Sequence, residues 1–368
     1  MGVGAMIVLC WVVVLGQGVF YFILPRITRR GLLFGVYVGE ANWAGEEAAR
    51  IIRFFYEETA IGAGLGLLAS LILGLVFRWE AAVLAAAFFP FFGFLVAYLR
   101  AHRRSQGLTA PQPAPPETPV LDAAAPSLGI PTLATLVCLA LSILALVYAA
   151  FHYAGLPAKV PTHFDIAGVP DAWRPKSFVS VMLMPLLTLL IGTGMALSTF
   201  LIAGARSSLR AGPGATSSLL AHLGFRQVIA RFVCALAVLV TLLLATGTVA
   251  SIRVGLGLAA RLHPAFIVLN FIVVAVAIGG TVAIALRYGQ GGARLEKFAA
   301  ESPLTGGLAE NRYWVLGLFY VNGSDPAPIV ESRFGLGYTI NFGNRKAVAL
   351  LATVLVLLVL VAVAAAFL

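Results

Sequence analysis

Apolar residues follow one another for some twenty positions at a time along nearly half of this chain, with charge collected in between. Eight such segments, near Val3 to Leu24, Ala60 to Phe77, Ala81 to Leu99, Pro131 to Phe151, Phe178 to Ala203, Gln227 to Ala250, Ala265 to Leu286 and Ala347 to Leu368, are long enough to cross roughly 30 Å of hydrocarbon as helices. The second and third are parted only by Arg78, Trp79 and Glu80, which predicts a tight helical hairpin. Between the first and second, Ala44, Ala48, Ile51, Ile52 and Phe55 recur at helical spacing and predict an interfacial helix within Glu40 to Thr59. Near the C-terminus the pattern turns β-rich. Trp314 to Val321 and Phe334 to Phe342 flank the turn cluster Asn322 to Pro326, which predicts a two-stranded hairpin. The fold class that follows is an all-α integral membrane protein of about eight transmembrane helices with a small β-containing module.

Composition agrees. Of 368 residues, 60% are hydrophobic and only 11% charged, which excludes a water-soluble globule. The 25 Lys and Arg against 15 Asp and Glu could signal nucleic acid, but their distribution answers a different question. One set of alternate connections holds 18 of the basic residues and the other set 6, so the first set is assigned to the cytoplasm and both termini lie outside. The excess needs no nucleic acid. Arg231, about one turn inside the sixth segment, can snorkel to the surface. Cys10, Cys138 and Cys234 sit inside apolar runs and read as small buried hydrophobes. The N-terminus lacks a basic n-region and reads as a retained first span.

The expected organisation is a three-span unit (1–99) with a cytoplasmic loop (25–59), a Pro-rich cytoplasmic linker (100–130), a two-span unit (131–205) around an extracytoplasmic loop (155–177), two further spans (206–287), a cytoplasmic β-containing module (288–346) and a last span (347–368). The 25–59 loop and the C-terminal module share a basic-then-Phe-Gly pattern and are expected to pack together. Glycines Gly62, Gly64, Gly66, Gly192 and Gly194 mark expected close helix contacts. Gly289, Gly291 and Gly292 read as a hinge leaving the seventh span, since no Lys-Ser/Thr follows to make a phosphate loop.

The 155–177 loop carries the densest chemistry, with four prolines, two glycines, His163, Asp165, Asp171, Trp173 and Lys176. Prolines and glycines at this density predict a rigid turn structure. Leu156, Pro157, Val160, Pro161, His163, Phe164, Asp165, Gly168, Asp171, Trp173 and Lys176 together resemble a bacterial membrane domain of unknown function best known from the Sdp toxin-immunity family, over roughly residues 131–205. Trp314, Gly317, Phe319, Tyr320, Asn322, Asp325, Gly335, Gly337, Asn341 and Phe342 are similar to a second uncharacterised module. The resemblance implies a bacterial plasma-membrane protein that confers immunity to a secreted peptide toxin or relays an outside signal. Its ligand or signal loop would use Pro161, His163, Asp165, Gly168, Asp171, Trp173 and Lys176. Its cytoplasmic module would use Trp314, Phe319, Tyr320, Asn322, Gly335, Gly337 and Asn341. Expected partners are the bilayer, an extracytoplasmic peptide and a cytoplasmic regulatory protein.

His163, Asp165 and Asp171 also form a candidate set for a divalent metal or acid–base work. The favoured alternative has the aspartates capping turns, His163 bonding a local carbonyl and Trp173 anchoring the loop at the interface; no metal or cofactor is expected. All 15 acidic residues lie in or beside connections, which disfavours proton-coupled transport. Three functions remain compatible with these residues: a non-enzymatic relay or immunity protein, a passive permease or channel using Thr188, Thr193, Thr241, Thr246, Thr248 and Asn270, and a membrane enzyme using His163 and its neighbouring aspartates.

Overall fold

The computed structural model describes residues 3–77, 80–111, 128–165, 167–205, 215–295, 310–334 and 336–367. In chain order the elements are α1 (Val3–Ile27), β1 (Leu32–Leu33), β2 (Val36–Tyr37), α2 (Gly39–Trp43), α3 (Glu46–Leu71), α4 (Glu80–Ala85), α5 (Phe89–Gln106), α6 (Gly129–His152), β3 (Lys159–Phe164), β4 (Pro170–Pro175), α7 (Phe178–Ala203), α8 (Ala215–Gly255), α9 (Pro264–Tyr288), β5 (Trp314–Val315), β6 (Phe319–Tyr320), β7 (Ile329–Glu331), β8 (Tyr338–Ile340) and α10 (Arg345–Phe367). Among the described residues six helices are long and apolar enough to cross a membrane, in Cys10–Ile27, Glu46–Val76, Gly129–Tyr153, Phe178–Ala203, Leu220–Gly255 and Pro264–Leu295. The expected turn at Arg78 and Trp79 and most of the Pro-rich linker, 112–127, lie outside the described residues.

Three expectations need correction. The interfacial helix and the second span are not separate: α3 is one helix from Glu46, ending in a π-helical turn over Ile72–Val76. The third expected span is interrupted and is not among those six helices. Its helix passes through a 3₁₀ turn at Ala86–Phe88 and restarts at Phe89, because Pro90 has no N–H to donate and is tolerated only in a first turn. The predicted C-terminal hairpin is two hairpins, β5–β6 and β7–β8, joined by a single parallel bridge between Tyr320 and Asn341. Leu316 and Gly317 both take positive φ and fold the first expected strand back on itself.

Contacts divide the chain into two units, residues 1–123, 206–225 and 284–344 in one and residues 124–205, 226–283 and 345–368 in the other. In the second unit α6 shows how its helices pack. It buries Ala134, Cys138, Ser142, Ala145 and Ala149 and turns Leu133, Leu136, Leu144, Val147 and Phe151 outward. Small side chains inside and large apolar ones outside invert the order of a soluble bundle, as suits helices that gain nothing by hiding leucine from lipid. Cys138, Ala196 and Ala237 bring α6, α7 and α8 together. Gly192 on α7 lies so close to Thr241 on α8 that a Cβ there would collide with its hydroxyl oxygen. Gly194 has nothing within 4 Å and makes no such contact.

In the first unit α3 and α5 pack through the same device. Gly62 faces Gly93 backbone to backbone, and Gly66 meets Pro90 and the Ala86 carbonyl, while Gly64 touches nothing. Ala48, Ile51 and Phe55 form the buried stripe of α3, as their spacing predicts. The 25–59 loop and the C-terminal module do pack together. The Phe34 and Phe334 rings lie 5.9 Å apart, and Tyr37 N–H donates to Asn311 Oδ1 at 2.9 Å. At the centre of this contact Gly35 and Gly317 stand back to back, each leaving only 2.6 Å between an added Cβ and the other's Cα. Phe34 and Leu316, beside those glycines, take left-handed backbone that bulky residues seldom adopt. Their carbonyls are held: Tyr98 Oη donates to Leu316 O at 2.9 Å, and His102 Nδ1 lies 2.8 Å from Phe34 O.

The expected hinge at 289–292 is instead a packed turn. A Cβ on Gly291 would collide with Glu331, and one on Gly292 with the Ala221 carbonyl. Around it Arg29, His222, Gln290 and Glu331 are all buried. Arg29 N–H donates to Gln290 Oε1 at 2.9 Å, its Nη2 donates to Gly291 O at 3.1 Å, and His222 Nδ1 lies 3.4 Å from Glu331 Oε2.

With Cys10, Cys138 and Cys234 replaced by Ala, cysteines at positions 34 and 334 are expected to crosslink in the full chain, and Gly317→Val is expected to suppress that crosslink; unchanged yield would show that the glycine pair does not set the approach. Burial lowers the pKa of His102, so the fold favours its neutral ring. The contribution of this ring to stability is therefore fully present above the unfolded value of about 6.5 and is lost as pH falls below it towards the lower folded value. Thermal midpoints between pH 7.5 and 5 are expected to drop less in His102→Gln.

Candidate functional site

The 155–177 loop is more regular than a set of turns. Its alternation of Val160, Thr162 and Phe164 with Pro161 and His163 forms β3, which pairs antiparallel with β4 from Lys159–Pro175 to Phe164–Pro170, with irregularities around His163. The tip is closed by Asp165. Its Oδ1 accepts from Ala167 N–H at 2.9 Å and Val169 N–H at 2.8 Å, which is what an ionised carboxylate in a tight turn does best. Gly168 takes φ +78 and presents its carbonyl to Leu262 N–H at 2.8 Å; a Cβ there would lie 3.0 Å from Leu262 Cβ. At the base, Lys176 Nζ donates to Leu156 O at 2.8 Å, with the Tyr153 and Ala154 carbonyls at 3.4 Å, so it neutralises the carbonyl end of α6. Ser177 and Ser180 then form a reciprocal capping box that starts α7.

Between this hairpin and the ends of α7, α8 and α9 lies a cleft of about 460 Å³. Val160, Pro161, Thr162, His163, Phe164, Ala172 and Arg174 form its roof, and Leu183, Met184, Ile252, Leu262 and Phe266 line its walls. The size falls within the usual range for small-molecule sites. Of the residues expected to form the signal loop, Pro161 and His163 line the cleft. Asp165, Gly168 and Lys176 instead build the hairpin. Asp171 pairs with His163 Nδ1 at 2.5 Å, in place of the local carbonyl expected for that ring. Trp173 is exposed and lies off the cleft. Arg174, Phe164 and Phe266 join the site without having been expected there. Strand alternation puts Arg174 and Ala172 on one face once the strands are known, but Phe266 is some ninety residues away and only packing brings it there.

Among the described residues no three of His, Cys, Asp and Glu converge as a metal centre would need. The His163–Asp171 pair sits on an open face with both side chains exposed, where water competes for every contact a reacting group would make.

Several of the module residues hold its backbone and one another. Asn341 is fully buried: its Nδ2 donates to Asn322 O and Asp325 O at 3.0 Å each, and its Oδ1 accepts from Asn322 N–H and Gly343 N–H at 3.0 Å. Tyr320 Oη donates to Asp325 Oδ2 at 3.0 Å, and Asn322 Oδ1 accepts from Ser324. Trp314 packs on Tyr320, with the Arg333 guanidinium 5.1 Å from its ring. Burial pushes the pKa of Arg333 down to about 9. Gly337 takes φ +92 in the β7–β8 turn, Phe319 is exposed, and Gly335 lies outside the described residues.

Two family models match this chain, one described as Domain of unknown function (DUF1648) over residues 140–189 and one as Family of unknown function (DUF5808) over residues 324–348. The first spans the end of α6, the hairpin and the first half of α7; the second spans the Asp325 turn, β7, β8 and the start of α10. No curated relative and no solved structure matches the chain.

If Asp165 closes the turn and holds no metal, Asp165→Ala is expected to lower stability by about 1–2 kcal/mol while Asp165→Asn, which keeps an acceptor, recovers most of it. Thermal unfolding of the purified chain checks this. A midpoint raised by Mg²⁺, Mn²⁺ or Zn²⁺ in the wild type and not in the variants would contradict the structural role.

Proposed function

We propose that this chain is a non-enzymatic relay or immunity protein of the bacterial plasma membrane, with about eight spans, both termini outside, the 155–177 hairpin as its receiving element and the 288–346 module reporting to a cytoplasmic protein. The observation that carries the reading is the use made of the hairpin's polar groups. Asp165 and Lys176 hold the backbone, His163 and Asp171 hold each other, and what remains is a largely apolar cleft and, away from it, an exposed Trp173. That is the composition of a binding surface and lacks the convergent acid, base and nucleophile of a reaction centre. The resemblance to the Sdp toxin-immunity family points the same way, as does the sorting of basic residues, 18 against 6, between alternate connections.

A passive permease draws less support. Of the threonines expected to line a path, Thr188, Thr241, Thr246 and Thr248 bond to carbonyls one turn back on their own helices, while the buried Thr193 hydroxyl has no hydrogen-bond partner among the described residues. Asn270 is exposed on α9.

A relay must bind its ligand unequally in two states. Trp173→Ala and Asp171→Ala, at unchanged protein level, are expected to alter resistance to a peptide toxin or expression of neighbouring genes. Unchanged resistance and expression in both would remove the reading. Reporter fusions after residues 110 and 310 are expected to report cytoplasm, and one after 165 the outside; the reverse pattern would overturn the assigned orientation.

A further inference from the structure

One face of the β5–β6 hairpin is not used by the module that carries it. Trp314 and Tyr320 pair across the hairpin and are buried, so alternation turns their neighbours the other way. Val315, Leu316, Phe319 and Val321 are exposed there, and Phe342 joins them with its ring 5.6 Å from that of Phe319. From Tyr313 to Ser324 the chain carries no charged residue. Strand faces in water are ordinarily broken by a charge that prevents sticking, so a group of large apolar side chains without one marks a surface that is covered.

What covers it follows from depth. The helix α5 runs beside α3, Gly93 against Gly62, and α3 lies in a segment long and apolar enough to cross a membrane. Exposed residues of α5 are apolar at Phe89, Phe91, Phe92, Leu95 and Val96 and basic at Arg100, Arg103 and Arg104. The hydrocarbon edge therefore falls between Val96 and Arg100. Arg100 pairs with Glu58, and the Arg104 guanidinium lies 3.7 Å from the Phe54 ring centre, which sets the same level on α3. Tyr98 stands at that edge, and helix geometry leans its side chain toward the apolar, N-terminal end of α5. Its hydroxyl donates to Leu316 O at 2.9 Å, and its ring lies 4.7 Å from that of Phe334. The hairpin turn is thus held at the level where hydrocarbon begins. At the other end of the patch, Phe342 stands three residues before Arg345, where the apolar helix α10 starts.

We propose that the face formed by Val315, Leu316, Phe319, Val321 and Phe342 beds into the bilayer at the boundary between acyl chains and headgroups. Both ends of the face are tied to apolar helices, one through Tyr98 and one through the chain itself. Bulky aliphatic and aromatic side chains are what that boundary favours. The placement needs a bilayer around the helices and does not rest on the relay reading. A protein that reads the module must therefore use another of its faces.

The test uses the full chain, with Cys10, Cys138 and Cys234 replaced by Ala, as single copies in phosphatidylcholine nanodiscs with no other protein. A nitroxide is attached singly through Val315→Cys, Phe319→Cys or Phe342→Cys, and through Ser324→Cys in the far turn as the comparison. Power saturation then measures collisions with oxygen, which concentrates in hydrocarbon, and with a nickel chelate, which stays in water. The oxygen-to-nickel ratio is expected to be several-fold higher at 315, 319 and 342 than at 324. Ratios at 315 and 319 no higher than at 324 overturn the proposal. A conservative variant gives a reading free of the label: the added fluorescence of Phe319→Trp, parent chain subtracted, is expected to be quenched by lipids brominated in the acyl chain and spared by aqueous iodide. The reverse pattern overturns the proposal. So does nickel protection that arises only in discs holding two chains, which assigns the face to a second copy, or only after a soluble protein is added, which assigns it to that partner.

Discussion

Helices in lipid gain nothing from hiding leucine, and most of this architecture follows from that. Without a hydrophobic force between them they adhere only where backbones approach closely and dispersion contacts accumulate. Along α6 the buried face accordingly carries alanine, serine and cysteine, and Leu133, Leu136, Leu144, Val147 and Phe151 point outward. Gly62 against Gly93 and Gly192 against Thr241 are two close expressions of this rule. A methyl at either place would require the facing atoms to shift: the Gly93 backbone at the first, the Thr241 side chain at the second.

Polar groups are displaced to the connections by the same constraint, and there several of them shape backbone. Asn341 satisfies two carbonyls and two N–H groups of one turn, Asp165 closes another, and Lys176 covers the end of a helix. Such residues look functional in a sequence because they are polar, placed among glycines and prolines, and surrounded by aromatics. Their surroundings show why an irregular connection needs them: every backbone group it leaves outside a helix has to find a partner.

Two sites nonetheless combine groups from distant parts of the chain. The first joins Arg29, His222, Gln290 and Glu331 around a turn that only glycine can occupy. Burial of an arginine, a histidine and a glutamate together is tolerated because each charge meets an opposite charge or a dipole, and removing one would leave the others exposed to a low dielectric. The second is the cleft under the β3–β4 hairpin, where Gly168 and Leu262 fix the hairpin tip to the loop before α9. That fastening keeps an apolar space open instead of letting the hairpin collapse onto the helices.

Sequence alone determined the membrane class, the position of most long helices, the buried stripe Ala48, Ile51 and Phe55 of α3, and the adjacency of the Phe34 and Phe334 loops. These are properties of runs and periods, which local spacing records directly. It also marked Asp165 and Gly168 as turn residues, because their preferences are local. Tertiary structure decided the rest. The break at Ala86–Phe88, the two small hairpins in place of one, the fixed turn at Gly291 and the cleft lined by Arg174 and Phe266 depend on which surfaces meet. Strands of two or three residues have too little period to read, and a cavity is made of residues that share no spacing at all. Polarity could be read from the chain, but which polar groups hold the fold and which face a ligand is settled only when their partners come into place.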